Sequence, residues 1–179
     1  SGRNLYRETS FLLDSLDTKI ASDSLSIIEN PFLRKGHASS NFDDEGVYLA
    51  KKNILDKGFL KSYLLSSYSA RKLGMQTTGN SGGAHNLIVS TSNKTLEELV
   101  SGIDKGILIT ELLGHGLNMV TGDYSRGAAG FWIESGKIQH AVEEITIASN
   151  IKDMLLNIKA ISNDIYQNSS KYTLSLIHI

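Results

Sequence analysis

The 179-residue sequence predicts an α+β fold, mostly antiparallel β-sheets and hairpins with a few short helices. Three observations carry that prediction. Sixteen glycines against one proline favour frequent tight turns over long bundle helices. Two pairs of β-rich runs flank hairpin chemistry, at Asp56-Lys57-Gly58 and at Ser135-Gly136. A hydrophobic content of 40% with 21% charged residues is that of a chain with a folded core.

The elements follow in order. Leu12, Leu13 and Leu16 behind Ser10 suit a short capped helix. Residues 24–28 alternate and then run apolar, as a strand does. Pro31 opens an irregular segment to Asn41, and Asp43-Asp44-Glu45-Gly46 reads as a turn into a hairpin of 47–55 and 59–65. Residues 67–74 begin at serine and end at glycine, as a short helix would. A loop through Gly83 precedes a strand over 85–90. Thr95 and Glu98 form a capping box for a helix over 96–104. A buried strand follows at 107–110, then the second hairpin (131–134 and 137–139) and a strand at 144–148. Ile151, Met154, Leu155, Ile158 and Ile161 share one helical face behind Asn150, predicting a helix to 161.

Composition also bounds function. Eighteen basic against nineteen acidic residues leave a formal charge of −1, with no general nucleic-acid-binding field. There is no cysteine, hence no disulfide, thiolate metal ligand or cysteine nucleophile in these residues. No apolar run reaches the roughly 18 residues of a membrane helix, and Ser1-Gly2-Arg3-Asn4 lacks the order of a secretion signal. A cytoplasmic, soluble protein is expected.

Four groups of residues carry candidate chemistry. Gly79-Asn80-Ser81-Gly82-Gly83 satisfies Gly-x-Ser-x-Gly, with His85 or His115 as a nominal base. The element order is inverted, helix before and strand after, so a flexible connection is the expectation. Glu111 and His115 stand four apart, but Gly114 and Gly116 oppose a firm helix there. The basic pairs Lys51-Lys52 and Arg71-Lys72 read as solvated faces. The densest signal is Thr121-Gly122-Asp123-Tyr124-Ser125-Arg126-Gly127-Ala128-Ala129-Gly130-Phe131-Trp132. Its glycines and alanines leave backbone uncovered, so another chain can approach. Gly122, Asp123, Tyr124, Ser125, Arg126 and Gly127 are the candidate peptide- or partner-contacting residues. The alternative is a glycine-rich loop that sends Phe131 and Trp132 to the core.

At this block the sequence resembles the TldD/PmbA family, "modulator of DNA gyrase" metallopeptidases, and within it the PmbA/TldE branch. Ser66 to Gly74, Thr78-Gly79-Asn80, Thr110 to Gly114, Thr121 to Trp132 and Glu144 to Ala148 carry the likeness. The resemblance implies a C-terminal domain over residues 1–172, with the family's N-terminal domain absent. It also implies a cytoplasmic heterodimer with a TldD-like catalytic subunit acting on peptides or unfolded proteins. In TldD-type subunits, zinc is held by His-Glu-x-x-x-His and a later cysteine. The corresponding stretch here, Tyr6-Arg7-Glu8-Thr9-Ser10-Phe11, contains no histidine. Zinc is therefore expected in the partner, with no metal or catalytic residue in this chain. The alternatives are a self-sufficient hydrolase using Ser81 or Glu111/His115, or a non-enzymatic gyrase modulator. Leu174 to Ile179 break off in an apolar run and equal the translation of a transposon adaptor end. Residues 173–179 are accordingly expected to be sequencing-adaptor read-through.

Overall fold

A computed structural model describes residues 1–168, 170–173 and 176–178. The first half contains α1 (Gly2–Tyr6), β1 (Ile27–Glu29), β2 (Lys52–Asp56), β3 (Phe59–Leu60), α2 (Ser67–Lys72) and β4 (Leu87–Val89). The second half runs α3 (Leu96–Ser101), β5 (Lys105–Leu113), β6 (Asp123–Glu134), β7 (Lys137–Asn150), α4 (Ile151–Leu156) and β8 (Ile158–Ile161). Three short strands follow: β9 (Tyr166–Asn168), β10 (Lys171–Thr173) and β11 (Leu176–His178).

The strands form three sheets among the described residues. One has the order β3-β2-β1-β4-β10-β9, antiparallel except at β4–β10; β8 pairs with β11; β5-β6-β7 form an antiparallel meander. Both predicted turns form, because both central residues of each take positive φ: Lys57 and Gly58 in one, Ser135 and Gly136 in the other; the first hairpin is shorter than predicted, its strands being Lys52–Asp56 and Phe59–Leu60 in place of 47–55 and 59–65. Gly58 is also required sterically, since a Cβ there would run into the Ala21 carbonyl. The main core gathers Ile20, Ala21, Leu25, Leu55, Leu60, Ile158 and Ile161. A smaller cluster joins Leu5, Leu65 and Ala70, where α1 meets α2.

The caps behave as their chemistry requires. The Thr95 hydroxyl accepts from the Glu98 amide while the Glu98 carboxylate accepts from the Thr95 amide, completing the box on α3. Asn150 caps α4 through the Lys152 amide.

Several expectations need correction. Residues 10–16 form turns rather than a helix, with Asp14 at φ 51°. The Tyr63 hydroxyl takes their backbone, donating to the Leu12 carbonyl and accepting from the Ser15 amide. The final helix ends at Leu156; β-branched Ile158 and Ile161 enter the core from strand β8, whose backbone pairs with β11. The strand at 107–110 is real but not buried. The Gly122–Gly130 block is mostly strand, as the first part of β6, and Phe131 stays 39% exposed. Lys52 is no solvated lysine, because it is committed to a buried carboxylate described below. Helix α1 gave no periodic signal; its Gly2 fits against Ser69 and Leu65, a contact only the fold creates. Of the suspected tail, Leu174, Ser175 and Ile179 lie outside the described residues, and 176–178 form β11.

Candidate functional site

Strand β6 is the middle of its sheet, and its small residues let the neighbours close in. A Cβ at Gly130 would overlap the Leu108 carbonyl of β5, whereas one at Gly127 would meet only the Leu113 Cβ at 3.4 Å. The first chains to use the bare backbone are thus β5 and β7 themselves. Arg126 is committed likewise: its guanidinium donates to the Leu112 carbonyl at 2.9 Å and more weakly to that of Leu113. It thereby fastens the end of β5. Asp123 accepts from the Thr121 hydroxyl at 2.6 Å and from the Asn150 amide at 3.3 Å, which joins the start of β6 to the end of β7. Tyr124 pairs across to Ser149, and Ser125 donates its amide to the Gly116 carbonyl.

One long-range contact gives this end of β6 its interest. Phe11 donates its amide to the Met119 carbonyl at 2.9 Å, and its ring lies 3.2 Å from where a Cβ of Gly122 would stand. Gly122 has φ 83°, so only glycine fits there without strain. Phe11 is thus folded against Gly122, at the entry to the Gly122–Gly127 block. Turn residues Leu117, Met119 and Val120 beside it are exposed.

A second arrangement escaped the sequence reading. Glu29, 1% exposed, accepts from the Asn80 amide at 2.8 Å and from the His85 backbone at 2.6 Å, and pairs with the Lys52 ammonium at 2.6 Å. Lys52 also donates to the Thr78 carbonyl at 2.5 Å. Asp43 accepts from the amides of Glu45, Val47 and Ser81. Burial pushes the Asp43 carboxyl up, but these three amides and the neighbouring His85 outweigh it and hold the group below its ordinary value. The segment from Thr78 to His85 is therefore clamped from several sides, not a flexible connection. Its only early signal was a lone glutamate closing an otherwise apolar strand.

The clamp also defines what Ser81 and the histidines can do. Among the described residues no hydrogen bond joins the Ser81 hydroxyl to a histidine; the His85 Nδ1 lies 3.5 Å from Glu29 instead. Glu111 lies on exposed β5 and His115 beyond the turn at Gly114, φ 71°, and no ion pair joins them. Among the described residues, no group of three or more His, Asp or Glu side chains converges as a metal site. The donor set here does not fit a zinc ion.

The family model of the PmbA/TldA metallopeptidase C-terminal domain matches residues 1–177. The chain belongs to that family. Over 170 residues it is 49% identical to Metalloprotease PmbA of Escherichia coli O157:H7, covering 95% of this chain and 38% of the relative. A Bacteroides thetaiotaomicron protein described as a modulator of DNA gyrase superposes with TM-score 0.95 at 38% identity, over 99% of this chain and 40% of its own. TldE from Thermococcus kodakarensis gives TM-score 0.86 at 28% identity, over 98% and 43%. The chain thus spans about two fifths of the length of these relatives. No helix among the described residues is long and apolar enough to cross a membrane.

Proposed function

We propose that this chain is the C-terminal part of a non-catalytic, PmbA/TldE-type subunit. Its role is in a heterodimeric TldD/TldE zinc metallopeptidase that degrades or processes unfolded proteins and peptides. The carrying observation is that Phe11, at the end of the Tyr6–Phe11 stretch likened to the TldD metal motif, packs against Gly122 at the entry to the glycine block, while that stretch supplies no histidine. The lack of a converging donor set among the described residues and the likeness to a TldE support the same reading. The zinc belongs to the TldD-like partner. Gly122 to Gly127 contact the peptide or the partner, and the chain shapes the cleft in which the peptide lies. With a formal charge of −1 the chain has no footprint for DNA, so any effect on gyrase passes through proteolysis.

The test is purification of the full-length subunit alone and with a TldD-like subunit, followed by zinc analysis and peptide cleavage. Zinc and chelator-sensitive cleavage are expected only in the mixture, saturating at one to one. Tightly held stoichiometric zinc in the isolated subunit would overturn the assignment. So would cleavage by the subunit alone that disappears in Ser81→Ala.

A further inference from the structure

Helices α1 and α2 pack together and form a basic face that neither segment shows alone. Gly2 and Leu5 of α1 meet Leu65, Ser69 and Ala70, so these residues make the inner faces. Residues three and four apart share a helix side. That sets Arg3, Tyr6 and the C-cap Arg7 on the outer side of α1, and Tyr68, Arg71 and Lys72 on the outer side of α2. The two outer sides adjoin, because the Tyr6 and Tyr68 rings meet edge to face with centroids 5.7 Å apart. Lys72 holds its ammonium 5.9 Å from the centre of the Tyr68 ring. Arg3, Arg7, Arg71 and Lys72 are all exposed, and among the described residues none of them has an ion-pair partner. Of the neighbouring acids, Glu45 accepts from the Ser67 amide at 2.8 Å, and Glu8 forms no ion pair among the described residues. Four positive charges thus flank two tyrosine rings on a chain whose formal total is −1.

That combination selects its ligand. Guanidinium groups match carboxylates through paired hydrogen bonds, and like charges gathered on one face favour an anion that offsets their repulsion. Arg3 and Arg7 stand about one helical turn apart, roughly 6 Å along the axis, and alternate residues of an extended peptide recur at about 6.6 Å. Acidic side chains on one side of an extended peptide therefore meet successive cations, with the tyrosine rings supplying apolar area between them. Nucleic acid calls for a longer basic track, which a chain of this net charge does not supply. The position also suits a peptide approaching the glycine block. Arg7 precedes by four residues Phe11, which packs against Gly122, so the two Cα atoms are at most about 14 Å apart.

We infer that the outer face of α1 and α2 binds acidic segments of unfolded polypeptide. As a surface that selects substrate it rests on the peptidase reading; as a binding site it does not.

The test is fluorescence anisotropy on the full-length subunit without a TldD-like partner. Its probes are a short unstructured peptide with glutamate at alternate positions, the same peptide with glutamine there, and a single-stranded DNA of matching length. The glutamate peptide is expected to bind roughly tenfold more tightly than the glutamine peptide at low ionic strength, and the difference to shrink as salt screens the charges. Arg3→Gln with Arg7→Gln, and Arg71→Gln with Lys72→Gln, should each remove most of that preference. Lys137→Gln, at an exposed cation of the β6–β7 hairpin, should leave it intact. Equal affinity for the two peptides would overturn the inference, as would a natively folded double variant that keeps the full preference. Tighter binding of the DNA than of the glutamate peptide would overturn it too, by assigning the face to nucleic acid. If a double variant fails to fold, amide hydrogen exchange of the unsubstituted subunit decides: slowing in α1 and α2 on adding the glutamate peptide supports the site, and unchanged exchange there overturns it. No cleavage is read, so a reconstituted complex that cleaves nothing would sink the peptidase reading and leave this site standing.

Discussion

Truncating Glu29 to alanine removes a carboxylate, 1% exposed, that three donors share inside the fold. The Lys52 ammonium loses its counter-ion, and the Asn80 amide and His85 N–H lose their acceptor at 2.8 and 2.6 Å. Deleting one partner of a buried pair costs about 3–5 kcal/mol, because the remaining charge keeps its desolvation penalty. For a domain of this size that is a fall of roughly 6–20 °C in Tm. The double change Glu29→Gln with Lys52→Met should recover most of the loss. The glutamine keeps an acceptor for Asn80 and His85, and no buried charge remains. Urea unfolding of the full-length protein, followed by circular dichroism and fitted as a double-mutant cycle, measures the coupling, expected above about 2 kcal/mol. A cost below about 1 kcal/mol for Glu29→Ala would refute the clamp, as would a double variant no better than the worse single one.

Asp43→Asn addresses pH. A carboxyl held below its ordinary value of 3.8 contributes stability fully above that value and loses it as pH falls through the lower folded one. The native chain should therefore lose stability more steeply below about pH 4 than Asp43→Asn does, as read from Tm between about pH 5 and 2. Gly130→Ala should cost about 1–3 kcal/mol by overpacking against the Leu108 carbonyl, while Gly127→Ala should be neutral or stabilise by up to about 1 kcal/mol. If Gly127→Ala nonetheless abolishes peptide cleavage by the reconstituted complex, the small residue serves function there and not folding. Thr95→Ala should cost about 0.5–2 kcal/mol, measured by thermal melting, through loss of the α3 capping box.

The sequence by itself determined the features that depend on neighbouring residues. The capping box at Thr95, the short helix within 67–74, and the hairpin turns at Lys57-Gly58 and Ser135-Gly136 are set by groups within a few residues of one another. The sequence also determined the family, because the Thr121–Trp132 block survives as text whatever its conformation. Tertiary structure decided where distant groups compete for the same backbone or the same burial. Tyr63, some fifty residues away, takes the polar groups that a helix over 10–16 would have used. Core packing of Ile158 and Ile161, with β11 as strand partner, ended α4 early. The approach of β5 and β7 made a strand of a glycine-rich stretch whose composition suggested a loop. Glu29 was chemically silent in sequence, since a glutamate is buried only when its partners come from elsewhere, here from β2 and the Thr78–His85 segment.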